Sequence, residues 1–410
     1  MTMWKYISIR LAAPAVMLTL AACQSLPAPA PAPEYPLVLH TGPMPDFSDD
    51  MDSQSLAAAA ARSLEYLAKI NSATEFSFGN KKAGVGLMAA SIRRLVEIFS
   101  YEPNPARRAA IIRNEFEVYK GTGQTDGGNA LITGYYQPLL IVQSRPDSIF
   151  RYPIYRVPDD LVRVDLGLFS SKYAGARIAG MVQDGALVPY HDRQAIDGKG
   201  ALAGKGWEIA WAENMFDVFS LHIQGSGILR FEDGTEKFAN YAAANGREYR
   251  SIGRLMIDEG EVPRDQMSMQ ALRQWFARNP EQMERILYHN SSYVFFRLMD
   301  DGPFGSLGAR LVGGRSAAFD HSLFPRAAIA WFSADIPQAT DGKPAGARRT
   351  GRFVFNHDQG GAIKGPGRMD LFFGAGENAE AAAGVMKNPG DVYFLLLKDA
   401  PMRLAGSPSK

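Results

Sequence analysis

Two carboxylates twelve positions apart, Asp358 and Asp370, bracket the glycine-rich stretch Gln359-Gly360-Gly361-Ala362-Ile363-Lys364-Gly365. Each follows an aromatic or apolar run, so each is expected where a strand meets a turn. Glycines at such a place let backbone approach a ligand and leave N–H groups free to donate. Asp370 stands beside Met369, Phe372 and Phe373. A carboxyl group among apolar side chains holds its proton to higher pH and can serve as an acid. Asp320, in Asp320-His321-Ser322-Leu323-Phe324-Pro325, is a third carboxylate upstream. By themselves these aspartates also fit solvated turn positions, which is what most Asp-Gly neighbourhoods are.

A second group of residues suits a polyhydroxylated ligand. His222-Ile223-Gln224-Gly225-Ser226-Gly227 is followed by Asn240-Tyr241 and by Asn245-Gly246-Arg247-Glu248-Tyr249-Arg250. Amides, guanidinium groups and aromatic rings spaced by glycine match the hydroxyls and flat apolar faces of sugars. Gly134-Tyr135-Tyr136-Gln137-Pro138 stands at the end of a strand-like run. Asp233-Gly234 and Asn245-Gly246 equally read as hairpin turns. Other chemistries fare worse. Asp358-Gln359-Gly360 is one substitution from an aspartic-protease signature, but no second copy exists to complete a dyad. The six histidines, at 40, 191, 222, 289, 321 and 357, lack paired zinc-site spacing, so no metal is expected.

These groups need elements to hold them. Helical patterns fall between Ser55 and Tyr119, carried by Leu56, Leu64, Leu67 and Ile70, then by Leu87, Ile92, Leu95 and Ile98. A second helical stretch runs from Ser268, a candidate N-cap, to Leu287. Strand-like runs cover Ala130 to Tyr136, Asp217 to Ile223, Ala327 to Phe332, Arg352 to Asn356 and Asp391 to Leu397. Plentiful Gly and Pro with short strands favour a mainly β architecture with flanking helices, and the length suggests two or three domains. A net charge of +1 leaves no basic excess for a nucleic-acid partner.

The N-terminus reads as an export signal. Lys5 and Arg10 precede an apolar run that ends in Leu20-Ala21-Ala22-Cys23. The run is too short to span a bilayer, and the Cys sits at a lipoprotein cleavage site. Residues 1–22 are expected to be removed and Cys23 lipidated, which also explains a single cysteine in an exported chain. Gln24 points to the outer membrane. The Pro/Ala-rich stretch 23–45 then reads as an extended spacer.

Taken in order, the blocks resemble the membrane-bound lytic murein transglycosylase A family. The shared pieces are Gly134-Tyr135-Tyr136-x-Pro138, Asp217-x-Phe219, Gln224-Gly225-Ser226-Gly227, Tyr249-x-Ser251-Ile252-Gly253, Ser268-Met269-Gln270, Tyr293-Val294-Phe295-Phe296 and the aspartates 320, 358 and 370. His222 departs from the pattern, where Gln is usual. The resemblance implies a double-psi β-barrel main domain from residues 46–137 and 293–410, with a 3D domain at about 308–398. An inserted β-barrel-like domain, 138–292, would leave a groove between the two for a glycan strand. It implies cleavage between N-acetylmuramic acid and N-acetylglucosamine with 1,6-anhydro ends, without a cofactor. Asp370 and Asp358 would be catalytic and Asp320 supporting. Tyr135, Tyr136, Gln137, Gln224, Ser226, Asn245, Tyr249 and Arg250 would bind substrate. Cell-wall synthesis or division proteins would be further partners. A peptidoglycan-binding lipoprotein without activity is the competing expectation.

Overall fold

The computed structural model describes residues 35–123, 128–264 and 266–398. Cys23, the export signal and the first part of the expected spacer lie outside them. The end of that spacer does not: Leu37–Leu39 is a strand paired with Phe116–Gly121, and Leu37 is buried.

The first helical stretch is three helices. Ser53–Lys69 starts at Asp52, whose carboxylate accepts the Ser55 N–H at 2.7 Å, and buries Leu56, Ala59, Ala60, Ser63 and Leu67 on one stripe. Val85–Tyr101 buries Met88, Ile92, Leu95 and Ile98, and Pro105–Glu115 begins with Pro after an Asn104 cap. Helix gives way at Phe116, where Phe116 and Val118 alternate inward along the strand.

Six strands close into a barrel. Lys387–Leu397 pairs with Ile329–Thr340, which pairs with Lys343–Asp358. Lys343–Asp358 runs parallel to Ser316–Ala318, which is antiparallel to Arg368–Ala375. Arg368–Ala375 runs parallel to Ala130–Gln137, and the first residues of Lys387–Leu397 pair with that strand to close the ring. The barrel and the first two helices share one core, in which Phe99 meets Phe353 with ring centroids 5.5 Å apart.

Between the two halves of the barrel sequence lies a second β body. Its six-stranded sheet orders Val294–Met299, Glu236–Ala244, Ser226–Arg230, Leu139–Gln143, Glu208–Ala212 and Tyr152–Tyr155. A bridge from Arg156 to Phe296 brings the two edges together. The insert therefore extends through Met299, past the expected boundary at 292, because Val294–Met299 pairs with Glu236–Ala244 and not with the barrel.

The expected strand from Asp217 to Ile223 is instead part of the helix Met215–Gln224. Asn214 caps it by accepting the Phe216 N–H at 2.8 Å, and Gly225 ends it in the left-handed region at φ 75°. Every residue from Met215 to His222 except Asp217 is buried. Burial on nearly all sides erases the one-sided period that marks a helix, and the aromatic and β-branched content then imitates a strand.

Candidate active site

The barrel aligns the two central aspartates. In the parallel pair, Asn356 lies opposite Ala317 and Asp358 opposite Ala318, so His357 is an extra, bulged residue. The bulge turns Asp358 to the face it would otherwise miss. On the other side of Ala318 lies Asp370, and beyond that Thr133. Asp358, Ala318, Asp370 and Thr133 thus form one row across four strands. At a strand spacing of about 4.8 Å, the two aspartate backbones are about 10 Å apart.

Among the described residues, Asp370 accepts one side-chain bond, from the Thr133 hydroxyl at 2.9 Å. Burial pushes its pKa up to about 7, against the pull of Thr133 and of Arg368, and with a further upward push from Asp358. Burial also raises Asp358, but this carboxylate is far better supplied with donors. Its Oδ1 accepts the N–H groups of Ser306 at 2.8 Å and Gln359 at 2.9 Å, and its Oδ2 accepts the Tyr135 hydroxyl at 3.1 Å. Donors of this kind favour the charged form.

Asp320 has another task. It is buried, which raises its pKa, yet the Ser322 hydroxyl at 2.6 Å, the Ser322 and Gly365 N–H groups and the Lys364 charge hold it below the usual range. Its bond to the Gly365 N–H, 2.9 Å, fastens the glycine-rich loop that joins the strands of Asp358 and Asp370.

The structure divides the expected ligand-binding residues. Tyr135 is buried at the site through its bond to Asp358. Strand alternation turns Tyr136 to the opposite face, where it packs with Ala379 and Ala383 of the helix Glu377–Val385. Gly134 allows that packing, since a Cβ there would lie 2.6 Å from Phe373 and 2.9 Å from the Ala383 backbone. Gln137 is buried as well. Gln224 accepts the Tyr136 N–H at 3.0 Å, tying insert to barrel. Ser226 is buried in the strand pair opposite Asn240. Asn245 is not presented to a ligand. It is fully buried, and its amide holds the backbones of His191, Ser291, Tyr293 and Arg247. Tyr249 and Arg250 are exposed, and Tyr249 lies close enough to Arg368 to feel its charge.

Three site residues went unread in the sequence. Thr133 and Arg368 stand two positions before Tyr135 and Asp370, and strand alternation alone puts each pair on one face. Ser306 reaches Asp358 from a loop and left no signal. His222, the residue that departs from the pattern, is buried against the Tyr293 ring at 4.2 Å and 3.0 Å from an Arg193 nitrogen. Its place is the insert core.

A barrel carrying a proton-holding carboxylic acid in register with a donor-rich carboxylate is the framework of a general-acid enzyme. The chain matches the MltA specific insert domain over residues 131–297 and the 3D domain over residues 315–396. It is 34% identical to membrane-bound lytic murein transglycosylase A of Vibrio cholerae over 67% of each chain. To the Escherichia coli K12 protein of the same name it is 33% identical over 70% of each. A crystal structure of a membrane-bound lytic murein transglycosylase from Agrobacterium tumefaciens superposes with a TM-score of 0.70 at 31% identity, covering 85% of this chain and 93% of that one. E. coli MltA with bound chitohexaose gives a TM-score of 0.69 at 27% identity, covering 89% and 95%. The chain belongs to the membrane-bound lytic murein transglycosylase A family.

Proposed function

We propose that this enzyme cleaves the β-1,4 bond between N-acetylmuramic acid and N-acetylglucosamine in peptidoglycan and closes a 1,6-anhydro ring, with Asp370 as its acid–base group. The observation that carries the roles is the contrast within the aspartate row: Asp370 holds its proton to about pH 7 and, among the described residues, has one donor, whereas Asp358 has three.

Hydrolysis takes two carboxylates, one to protonate the leaving oxygen and one to direct water or form an adduct. Here the attacking group is the C6 hydroxyl of the muramic residue itself. Attack from within the same sugar gains effective molarity and needs no positioned water. Asp370 gives its proton to the glycosidic oxygen as the C1–O bond breaks. O6 bonds to C1 and returns its proton to Asp370, so the acid is regenerated in one cycle. Positive charge that develops at C1 is eased by Asp358, whose N–H and O–H donors favour its charged form against its burial. Tyr249 and Arg250 supply glycan contact from the insert, Tyr135 acts through Asp358, and Gln224 acts through Tyr136. The two parallel strand pairs of the closed barrel support a double-psi reading of its topology.

Purified sacculi digested with this protein should release anhydro-muropeptides by mass spectrometry, and Asp370→Asn should release none. Binding of sacculi without release by the wild type would leave a peptidoglycan-binding protein instead. Lipidation at Cys23 would place the enzyme on the periplasmic face of the outer membrane. Cys23→Ser should then be active and soluble in the periplasm, and its recovery with outer membrane would refute the anchor.

A further inference from the structure

Arg368 works against the acid it accompanies. It sits two residues before Asp370 on the strand Arg368–Ala375, so both side chains leave the same face. Its Nη2 donates to the Thr133 hydroxyl at 3.2 Å, the same hydroxyl that donates to Asp370 at 2.9 Å. Among the described residues, that is its one side-chain hydrogen bond, and no carboxylate pairs with it within salt-bridge distance. Its Nε is buried without a partner. By contrast Arg315 and Arg352, the other enclosed guanidinium groups of the barrel, are each paired with a carboxylate, Asp49 and Asp50 at 2.7 Å. A partly enclosed guanidinium that lacks an anion, beside an acid whose proton it discourages, is left incomplete in the free protein.

The charged and titratable groups around the row are few. Arg368 is on the strand of Asp370, Asp358 comes from Lys343–Asp358, and Tyr135 from Ala130–Gln137. The strand Ser316–Ala318 between them contributes only Ala318 at this level. From the insert, Tyr249 faces Arg368. None of these supplies Arg368 with an anion. The substrate class does. Muramic acid carries a lactyl carboxylate when its peptide stem is absent, and the stem carries carboxylates when it is present.

Resting on the glycan-cleaving reading, we propose that Arg368 receives a carboxylate from the muramic side of the substrate, and that filling it neutralises the cation beside Asp370. Binding and acid strength are thereby coupled. A correctly substituted glycan strengthens the hold of Asp370 on its proton as it docks, and an uncharged oligosaccharide of N-acetylglucosamine leaves the cation in place. Arg368 is a specificity residue that touches substrate and tunes the acid through space.

The test compares three ligands by calorimetry in an Asp370→Asn background, which stops turnover: chitohexaose, amidase-stripped glycan strands with free lactyl carboxylates, and strands with intact stems. The protein with Arg368 in place should favour one or both carboxylate-bearing strands. Arg368→Gln should erase that preference by roughly ten- to hundredfold, the worth of a charge-assisted bond. Arg368→Lys should retain most of it. The strand whose advantage disappears names the source of the carboxylate. In the Asp370-containing enzyme, the basic limb of kcat on carboxylate-bearing strands should lie above that of kcat/KM, and Arg368→Gln should bring the two limbs together. An undiminished preference in Arg368→Gln, or equal losses on all three ligands, would overturn the proposal. Sacculus digestion by the wild type is scored separately. If it failed, the catalytic reading would fall while the affinity ratios still judged Arg368.

Discussion

Asp370 and Asp358 are the same side chain in two hydrogen-bonding environments, and the difference underlies the roles proposed for them. Asn in place of Asp370 keeps the size and can still accept from Thr133, but it has no proton to give. General acid–base catalysis is worth about a hundred- to ten-thousand-fold, and in the proposed cycle one group performs both halves. Asp370→Asn should therefore lower kcat on sacculi by about ten-thousand-fold or more. Asp358→Asn changes only the field at C1 and should cost less; a dead Asp358→Asn beside an active Asp370→Asn would reverse the two roles. The pH dependence follows from the same group. Asp370 is acid-competent while protonated, so kcat/KM should fall as pH rises through about 7. Stability follows the same sign. The folded state binds the Asp370 proton up to about pH 7, while the unfolded chain releases it near 3.8. Stability from this group is full below the lower value and is lost as pH rises through the upper one. The Tm of Asp370→Asn, relative to wild type, should accordingly be higher at pH 8 than at pH 5, and thermal melting at the two pH values checks it.

The bulge at His357 is the element on which the row depends. With His357 extra, Asp358 comes level with Ala318, and the imidazole turns into the core between Ser63 of the helix Ser53–Lys69 and Ser316 of the short strand, at 2.9 Å from each hydroxyl. Burial drives its pKa down to about 3. The neutral ring contributes stability that is present above its unfolded value of 6.5 and drains as pH falls towards 3. His357→Ala strips Ser63 of its buried partner, while Ser316 still accepts the Val312 N–H, and should cost about 1–3 kcal/mol in urea unfolding. Loss of activity in that variant should exceed its loss of folded protein, because Asp358 is then free to slip from the row. Little of this was legible beforehand. The strands at 130–136, 352–356 and 391–397 were, since their β-branched and aromatic runs are bounded by turn residues. So was the pair of aspartates around a glycine-rich loop, which the barrel brings into one row. What joins them is the register through Ala318, a residue with no chemistry of its own, and a bulge that only strand pairing defines. Gln224, Ser226 and Asn245 looked like ligand groups because polarity is visible in sequence, whereas the backbone atoms that occupy Gln224 and Asn245 are not.

At the scale of the whole molecule, the site needs two bodies held in one relation. The barrel is fixed at its N-terminal side by Asp49, which takes two bonds from the fully buried Arg315 at 2.7 and 2.8 Å. Removing one partner of such a pair strands a buried charge, so Asp49→Ala should lower unfolding stability by about 3–5 kcal/mol in urea melts. The insert is seated on the barrel by bonds of its own. Gln224 holds the Tyr136 N–H, Arg273 pairs with Asp217 within the insert and reaches Glu380 at 3.8 Å, and the Gln270 amide donates to the Glu380 carbonyl at 2.9 Å. Gln270 belongs to the helix Met269–Arg278, and Glu380 to the barrel-side helix Glu377–Val385. Gly384 lets those helices approach. A Cβ at that position would stand 2.2 Å from the Gln270 Oε1 and 2.7 Å from its Nε2. In Gly384→Ala, Gln270 must swing away and give up Glu380, or the insert helix must lift. The first change removes one tie between insert and barrel and the second shifts the surface that carries Tyr249, while the aspartate row stays in place. A displacement near 1 Å at a catalytic site costs up to about a hundredfold. Gly384→Ala should therefore lose about ten- to a hundredfold in kcat/KM on sacculi, with a Tm close to wild type and the basic limb of the pH profile still near 7. Wild-type kcat/KM in this variant would show that the seating of the insert does not govern the site, and a shifted pH limb would show that the substitution had reached the barrel.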